Sequence, residues 1–216
     1  MQINNKSLKR RIIEISYKHN LSHLGSCITA VDIIKEIYDT KKKDEKFVLS
    51  SGHAGLALYV VVEFFGGRSA EEIFAHHGVH PDFCTLCGLD CSAGSLGHGL
   101  PIAVGMALAD RSKNVYCLIS DGECAEGSIW EALRIAGEQK LYNLKIFVNI
   151  NGYTAYSMLS AGDVQMLYKK LKHYSLPLWL QVEFTDVEQL PFLKGQDAHY
   201  HVMTEKEYKQ ATEVLK

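Results

Sequence analysis

The chain has 216 residues, 47% of them hydrophobic, and a formal net charge of −2. That is enough apolar material for one substantial core, and the balanced charge gives no electrostatic footprint for nucleic acid or an acidic membrane surface. No stretch approaches the roughly 20 apolar residues of a bilayer span, residues 56–65 being broken by Glu63, and the polar, basic residues 1–11 lack the apolar heart of a secretory signal. One cytoplasmic domain over 1–216, binding neither membrane nor nucleic acid, is the expectation.

In chain order, residues 7–18 place Leu8, Ile12 and Ile15 on one face of an amphipathic helix. Thr29 stands where it can cap a helix over 30–38, residues 41–46 read as a charged turn between helices, and 52–65 as a largely buried helix. Ser69 with Glu72, and Thr204 with Glu207, have capping-box spacing for short helices that follow. Residues 99–109 carry Ala103, Gly105, Ala107 and Ala109, small enough for close packing on a sheet or a partner helix. Two short β-rich apolar runs, 115–120 and 144–150, stop at Asp121-Gly122 and Asn151-Gly152; between them 126–140 holds Ile129, Trp130, Leu133, Ile135 and Ala136 at helical spacing. A helix over 161–174 and a strand over 178–184 follow. Strands alternating with helices predict an α/β fold, a parallel sheet with helices on both faces.

A strand–helix–strand unit of this length closes with parallel strands, so Asp121 and Asn151 are expected to emerge together at the carboxyl edge of the sheet, where ligands of open α/β sheets bind. Gly122 lets backbone approach an anion, and a helix start just beyond offers N–H groups and a positive dipole end to a diphosphate. Asp121 supplies a carboxylate oxygen, Asn151 an amide oxygen and Tyr153 a carbonyl, an oxygen set suited to octahedral Mg²⁺. An Asp-Gly alone is an ordinary turn; the pair at this spacing is what carries the reading.

Gly94-Ser95-Leu96-Gly97-His98-Gly99-Leu100-Pro101, then Asp121-Gly122-Glu123, Glu126-Gly127, Trp130-Glu131-Ala132 and Asn151, resemble the thiamine-diphosphate-binding N-terminal domain of transketolases. Ser22-His23-Leu24-Gly25, Ser50-Ser51-Gly52-His53-Ala54 and His80-Pro81-Asp82 are similar to further elements of that family, and the stretch 190–200 more loosely so. The resemblance implies thiamine diphosphate and Mg²⁺ as cofactors, with Asp121, Asn151 and the Tyr153 carbonyl on the metal and Gly122 and His53 on the diphosphate. It implies Gly94 and Leu96 beside the aminopyrimidine, and His23, His80 and His199 lining the mouth as catalytic groups for donor hydroxyls and developing charge. His199 is preferred over His201. Glu126 and Glu131 match acidic residues that lie between the two cofactors at the subunit interface; His19, His76, His77 and His173 read as structural.

Some positions depart from the pattern. His98 replaces a usual glutamine, and Ser120 stands where the family has glycine, implying a slightly tighter turn. From about residue 155 the domain is shortened, so a piece that frames the substrate channel is expected to be missing. Cys84, Cys87 and Cys91 follow His76, His77 and His80 at spacings that suit zinc, but no second paired half exists, so free thiols are the expectation. Zinc there would take His80 away from the mouth.

In the family, the glutamate that activates the cofactor sits on a separate pyrimidine-binding domain, and one diphosphate-binding fold fills the present length. The resemblance therefore implies one subunit of a split transketolase, active only with a second polypeptide, paired about a two-fold axis, and moving a two-carbon ketol unit between sugar or sugar-derivative substrates. Two readings stay open beside it: the diphosphate-binding chain of another thiamine enzyme, of 2-oxoacid decarboxylase or deoxyxylulose phosphate synthase type, and a non-catalytic cofactor-binding module.

Overall fold

The structure, a computed structural model, describes residues 5–155, 157–174, 178–195 and 200–215. Four strands, β1 (Lys46–Leu49), β2 (Val115–Ser120), β3 (Leu144–Ile150) and β4 (Trp179–Phe184), form one sheet in the order β1-β2-β3-β4, every pair parallel. β2 is buried at all six positions, as a central parallel strand covered on both faces must be.

Side chains leave a strand alternately to its two faces, and that alternation divides the core. Phe47, Leu49, Tyr116, Leu118 and Phe147 join one cluster with α1 (Asn5–Lys18), α2 (Leu24–Thr40), α3 (Gly55–Phe64), α4 (Ala70–His77) and α8 (Glu205–Val214). Val48, Val115, Cys117, Ile119, Ile146, Val148 and Ile150 join a second with α5 (Gly99–Ala109), α6 (Gly127–Glu138) and α7 (Ala161–Tyr174). The expected α/β architecture, with helices on both faces, is therefore present. α3 is buried on all sides from Gly55 to Val62 because it lies within the first cluster; among the described residues no helix is long and apolar enough to cross a membrane.

Three local expectations are corrected. α2 begins at Leu24 behind His23, which holds a left-handed backbone (φ 61°), so Thr29 lies inside the helix rather than at its cap. Its hydroxyl donates to the Ser26 carbonyl at 3.2 Å and accepts from Asn149 at 3.1 Å, a tertiary contact that local spacing cannot reveal. Lys46 opens β1 instead of closing a turn: its short strand is set by pairing with β2, not by any length of apolar alternation. Beyond Asp121 the chain makes one 3-10 turn, Gly122–Ala125, and an extended Glu126 before α6 starts, so the helix N-terminus stands further from Gly122 than expected. The cap at Ser69 and the reciprocal capping box of Thr204 and Glu207 both form.

Candidate cofactor site

β2 and β3 run side by side with Ser120 opposite Asn149, and this register delivers both turns to one edge. The Asp121 carboxylate is almost fully buried there. One oxygen accepts from the Gly122 N–H at 2.9 Å, and the other from the Asn151 and Gly152 N–H groups at 3.0 and 2.7 Å. Burial pushes its pKa up to about 6 even though these three donors pull the other way. The Asn151 side chain accepts from the Tyr153 N–H at 2.9 Å and donates to Thr29 at 3.4 Å.

Glu123, fully buried, forms a second anchor. It accepts from the Ser50 hydroxyl at 2.5 Å, the Gly97 N–H at 2.9 Å and the Ser120 N–H at 3.1 Å, tying together the ends of β1 and β2 and the loop before α5. Burial raises its pKa as well. Gly97 has φ +79°, and a Cβ there would lie 2.5 Å from the Ser128 hydroxyl and 2.7 Å from Glu126 Cβ, so only glycine fits the loop.

A cavity of about 280 Å³ opens over these anchors. Ser120, Gly122, Asn149, Asn151 and Tyr153 line it together with His23, His53, His80, Gly94, Leu96 and Tyr200. The His23 ring lies 5.6 Å from that of His53 and 5.7 Å from that of Tyr200. His23 holds its left-handed backbone at this cavity, the kind of place where strained residues collect.

A protein-family model described as the transketolase thiamine diphosphate binding domain matches residues 14–190. The chain belongs to the transketolase family. It is 32% identical over 171 residues to a Phocaeicola vulgatus protein whose name makes it one of the subunits of an apulose-4-phosphate transketolase, covering 70% of this chain and 60% of that one. A Clostridium protein named 6-deoxy-6-sulfo-D-fructose transketolase subunit SqwG is 33% identical over 172 residues, covering 68% and 62%. This chain therefore spans about three fifths of the length of the curated subunits it matches. The fold superimposes on transketolase from Campylobacter jejuni with a TM-score of 0.78 at 22% identity, over 100% of this chain and 43% of the other.

Within this transketolase domain, the residues expected at the site separate clearly. His23, His53, His80, Gly94, Leu96, Gly122, Asn151 and Tyr153 border one cavity, and Asp121 lies beneath it. Glu126 stands aside, half-buried against Gly97, and Glu131 is exposed and paired with Arg134. His199 lies outside the described residues, while His201 is drawn 3.1 Å from Glu207 with its ring 5.6 Å from Phe192. His98 is exposed at the start of α5 and lines an adjoining groove that shares His80 and Gly94 with the cavity. Sequence reasoning missed Asn149, Tyr200 and the anchoring part of Glu123. Asn149 left a signal, an amide near the end of an otherwise apolar strand; Tyr200 left none beyond its place next to His199.

Proposed function

We propose that this chain binds thiamine diphosphate through Mg²⁺ and forms the diphosphate-binding half of a two-chain transketolase that moves a two-carbon ketol unit between sugars or sugar derivatives. The observation that carries the reading is Asp121, a buried carboxylate held by three backbone N–H groups under a cavity bordered by three histidines. Asp121, the Asn151 amide oxygen and the Tyr153 carbonyl form an all-oxygen set that fits Mg²⁺, with other positions left to phosphate and water. Gly122 and His53 would hold the diphosphate, and Gly94 and Leu96 the pyrimidine side. When bound, thiamine diphosphate supplies the electron sink for breaking a carbon–carbon bond beside a carbonyl.

The chain's own part is to hold and to orient. Asp121, kept in place by its backbone donors, offers its charge to the cation at little cost in reorganisation. His23 and His80, both at the cavity, would hydrogen-bond donor hydroxyls and carry protons near neutral pH. Two relatives named as transketolase subunits, one for apulose-4-phosphate and one for 6-deoxy-6-sulfo-D-fructose, support a partner chain and a modified or phosphorylated sugar. The outward side of α5, where Pro101, Ile102, Gly105 and Leu108 present an exposed apolar strip, also supports the partner chain. Glu126 and Glu131 would face the two-fold axis, and a shortened segment after about residue 155 would leave the channel more open. The test is calorimetry on the assembled complex: Asp121→Ala should abolish Mg²⁺-dependent thiamine diphosphate binding while circular dichroism stays unchanged, and undiminished binding would sink the assignment.

A further inference from the structure

Apart from the residues that line the cavity, the structure gathers two thiols and an imidazole. His77 closes α4; Cys84 and Cys87 flank and end the 3-10 turn Thr85–Cys87. Their ligand atoms all lie within 4.8 Å of one another, and His77 Nε2 is 3.4 Å from Cys87 Sγ. A zinc tetrahedron with metal–sulfur and metal–nitrogen arms of about 2.3 and 2.1 Å has an S···N edge of about 3.6 Å, so that spacing already matches. The turn is built to bring the two thiols together. Cys84 and Leu89 exchange both backbone hydrogen bonds at 2.9 Å, the Cys87 N–H donates to the Cys84 carbonyl at 3.2 Å, and Gly88 takes the left-handed conformation (φ 71°) that lets the chain double back.

From this geometry we propose that His77, Cys84 and Cys87 bind a zinc ion. Two thiolates and an imidazole select zinc over hard cations such as Mg²⁺. On binding, both thiols release their protons to solvent and His77 coordinates through Nε2 as the neutral ring. No fourth His, Cys, Asp or Glu shares the cluster among the described residues, so the fourth position goes to water. Cys91 is not a ligand: it packs in the cluster on the other side of the sheet, and its thiol donates to the Ser92 carbonyl. His80 is not one either, and stays on the cavity. The site thus uses a histidine in place of the second cysteine pair that the spacing lacks. It also closes the loop 78–83 at both ends, and that loop carries His80 to the cavity mouth, so zinc would clamp the position of His80.

The full chain, purified without added metal or chelator, should contain on the order of one zinc per chain. Cys84→Ser and Cys87→Ser should each lose most of it, whereas Cys91→Ser should keep it. Cobalt(II) exchanged into the wild-type chain should give intense thiolate-to-metal absorption, a readout that needs no variant to fold, and Cys84→Ser should weaken it while Cys91→Ser leaves it unchanged. Hydrogen exchange in residues 79–83 should slow when zinc is restored to chelator-treated protein. Equal zinc in all four proteins, cobalt bound without thiolate absorption, or a metal-free chain with Cys84 and Cys87 joined as a disulfide would overturn the site. Zinc binding with unchanged exchange in 79–83 would overturn the clamp.

Discussion

At the scale of single residues, Asp121 sets the pH behaviour. Its folded pKa of about 6 lies above the ordinary carboxylate value of about 3.9, so the metal-free chain gains stability from this group as pH falls through 6 toward 4 and loses it as pH rises. A divalent cation needs the ionised form, so affinity for it has the opposite slope. Binding of Mn²⁺ alone, followed by paramagnetic resonance so that the diphosphate's own titration does not intrude, should weaken about tenfold per pH unit below about 6 and level off above. A flat profile between pH 5 and 8 would contradict the assignment of Asp121 to the metal. The mouth histidines act at a later stage. His23→Ala or His80→Ala should lower turnover of the assembled enzyme on the order of 10²-fold with cofactor affinity little changed; equal losses in both would reassign the histidine to structure.

At the scale of elements, the site depends on how strand ends are tied to each other. Glu123→Ala would leave the Gly97 and Ser120 N–H groups buried without an acceptor and would free the end of β1. Two orphaned donors cost about 2–5 kcal/mol, a fall in Tm on the order of 10 °C for a chain of this size, and a melting curve within a degree or two of wild type would show that the anchor is dispensable. The long periodic elements were legible in sequence: β2, β3 and α6 lie where apolar spacing puts them, because that spacing is what each buries, whereas α5, apolar nearly all round, was marked by its small residues. The pairing of Asp121 with the Asn151 turn was legible too, through the geometry of a parallel crossover. What was hidden depends on contacts across the chain. β1 is four residues long and exists by pairing, α2 starts behind a strained His23, and Thr29 bonds to Asn149 from 120 positions away. The cysteine turn was visible as a spacing, but only folding showed that His77 and not His80 joins it.

At the scale of the whole molecule, the question is what closes the cavity. Its volume of about 280 Å³ lies just below the roughly 300–1,000 Å³ of small-molecule sites, and in the proposed two-chain enzyme the rest of the enclosure, with the activating carboxylate, would come from another domain. This chain alone should therefore show no ketol transfer, and mixing it with a chain carrying a pyrimidine-binding domain should produce both transfer and a symmetric complex holding two copies of each. Mass photometry beside a ketose panel decides it: transfer by this chain alone would refute the two-chain reading, and a complex inert toward every donor would favour a non-catalytic module.

The strand order β1-β2-β3-β4 has a consequence for how the chain is made. Each strand after β1 pairs with the one made before it, so as the polypeptide leaves the ribosome β2, β3 and β4 each find a neighbour already synthesised. Asp121 meets its backbone donors as soon as β3 docks, whereas Tyr200, which forms one wall of the cavity, and α8, which stacks Tyr208 on Tyr17 of α1, emerge afterwards. The floor that would hold the metal is thus finished during synthesis, before the wall above it has been translated.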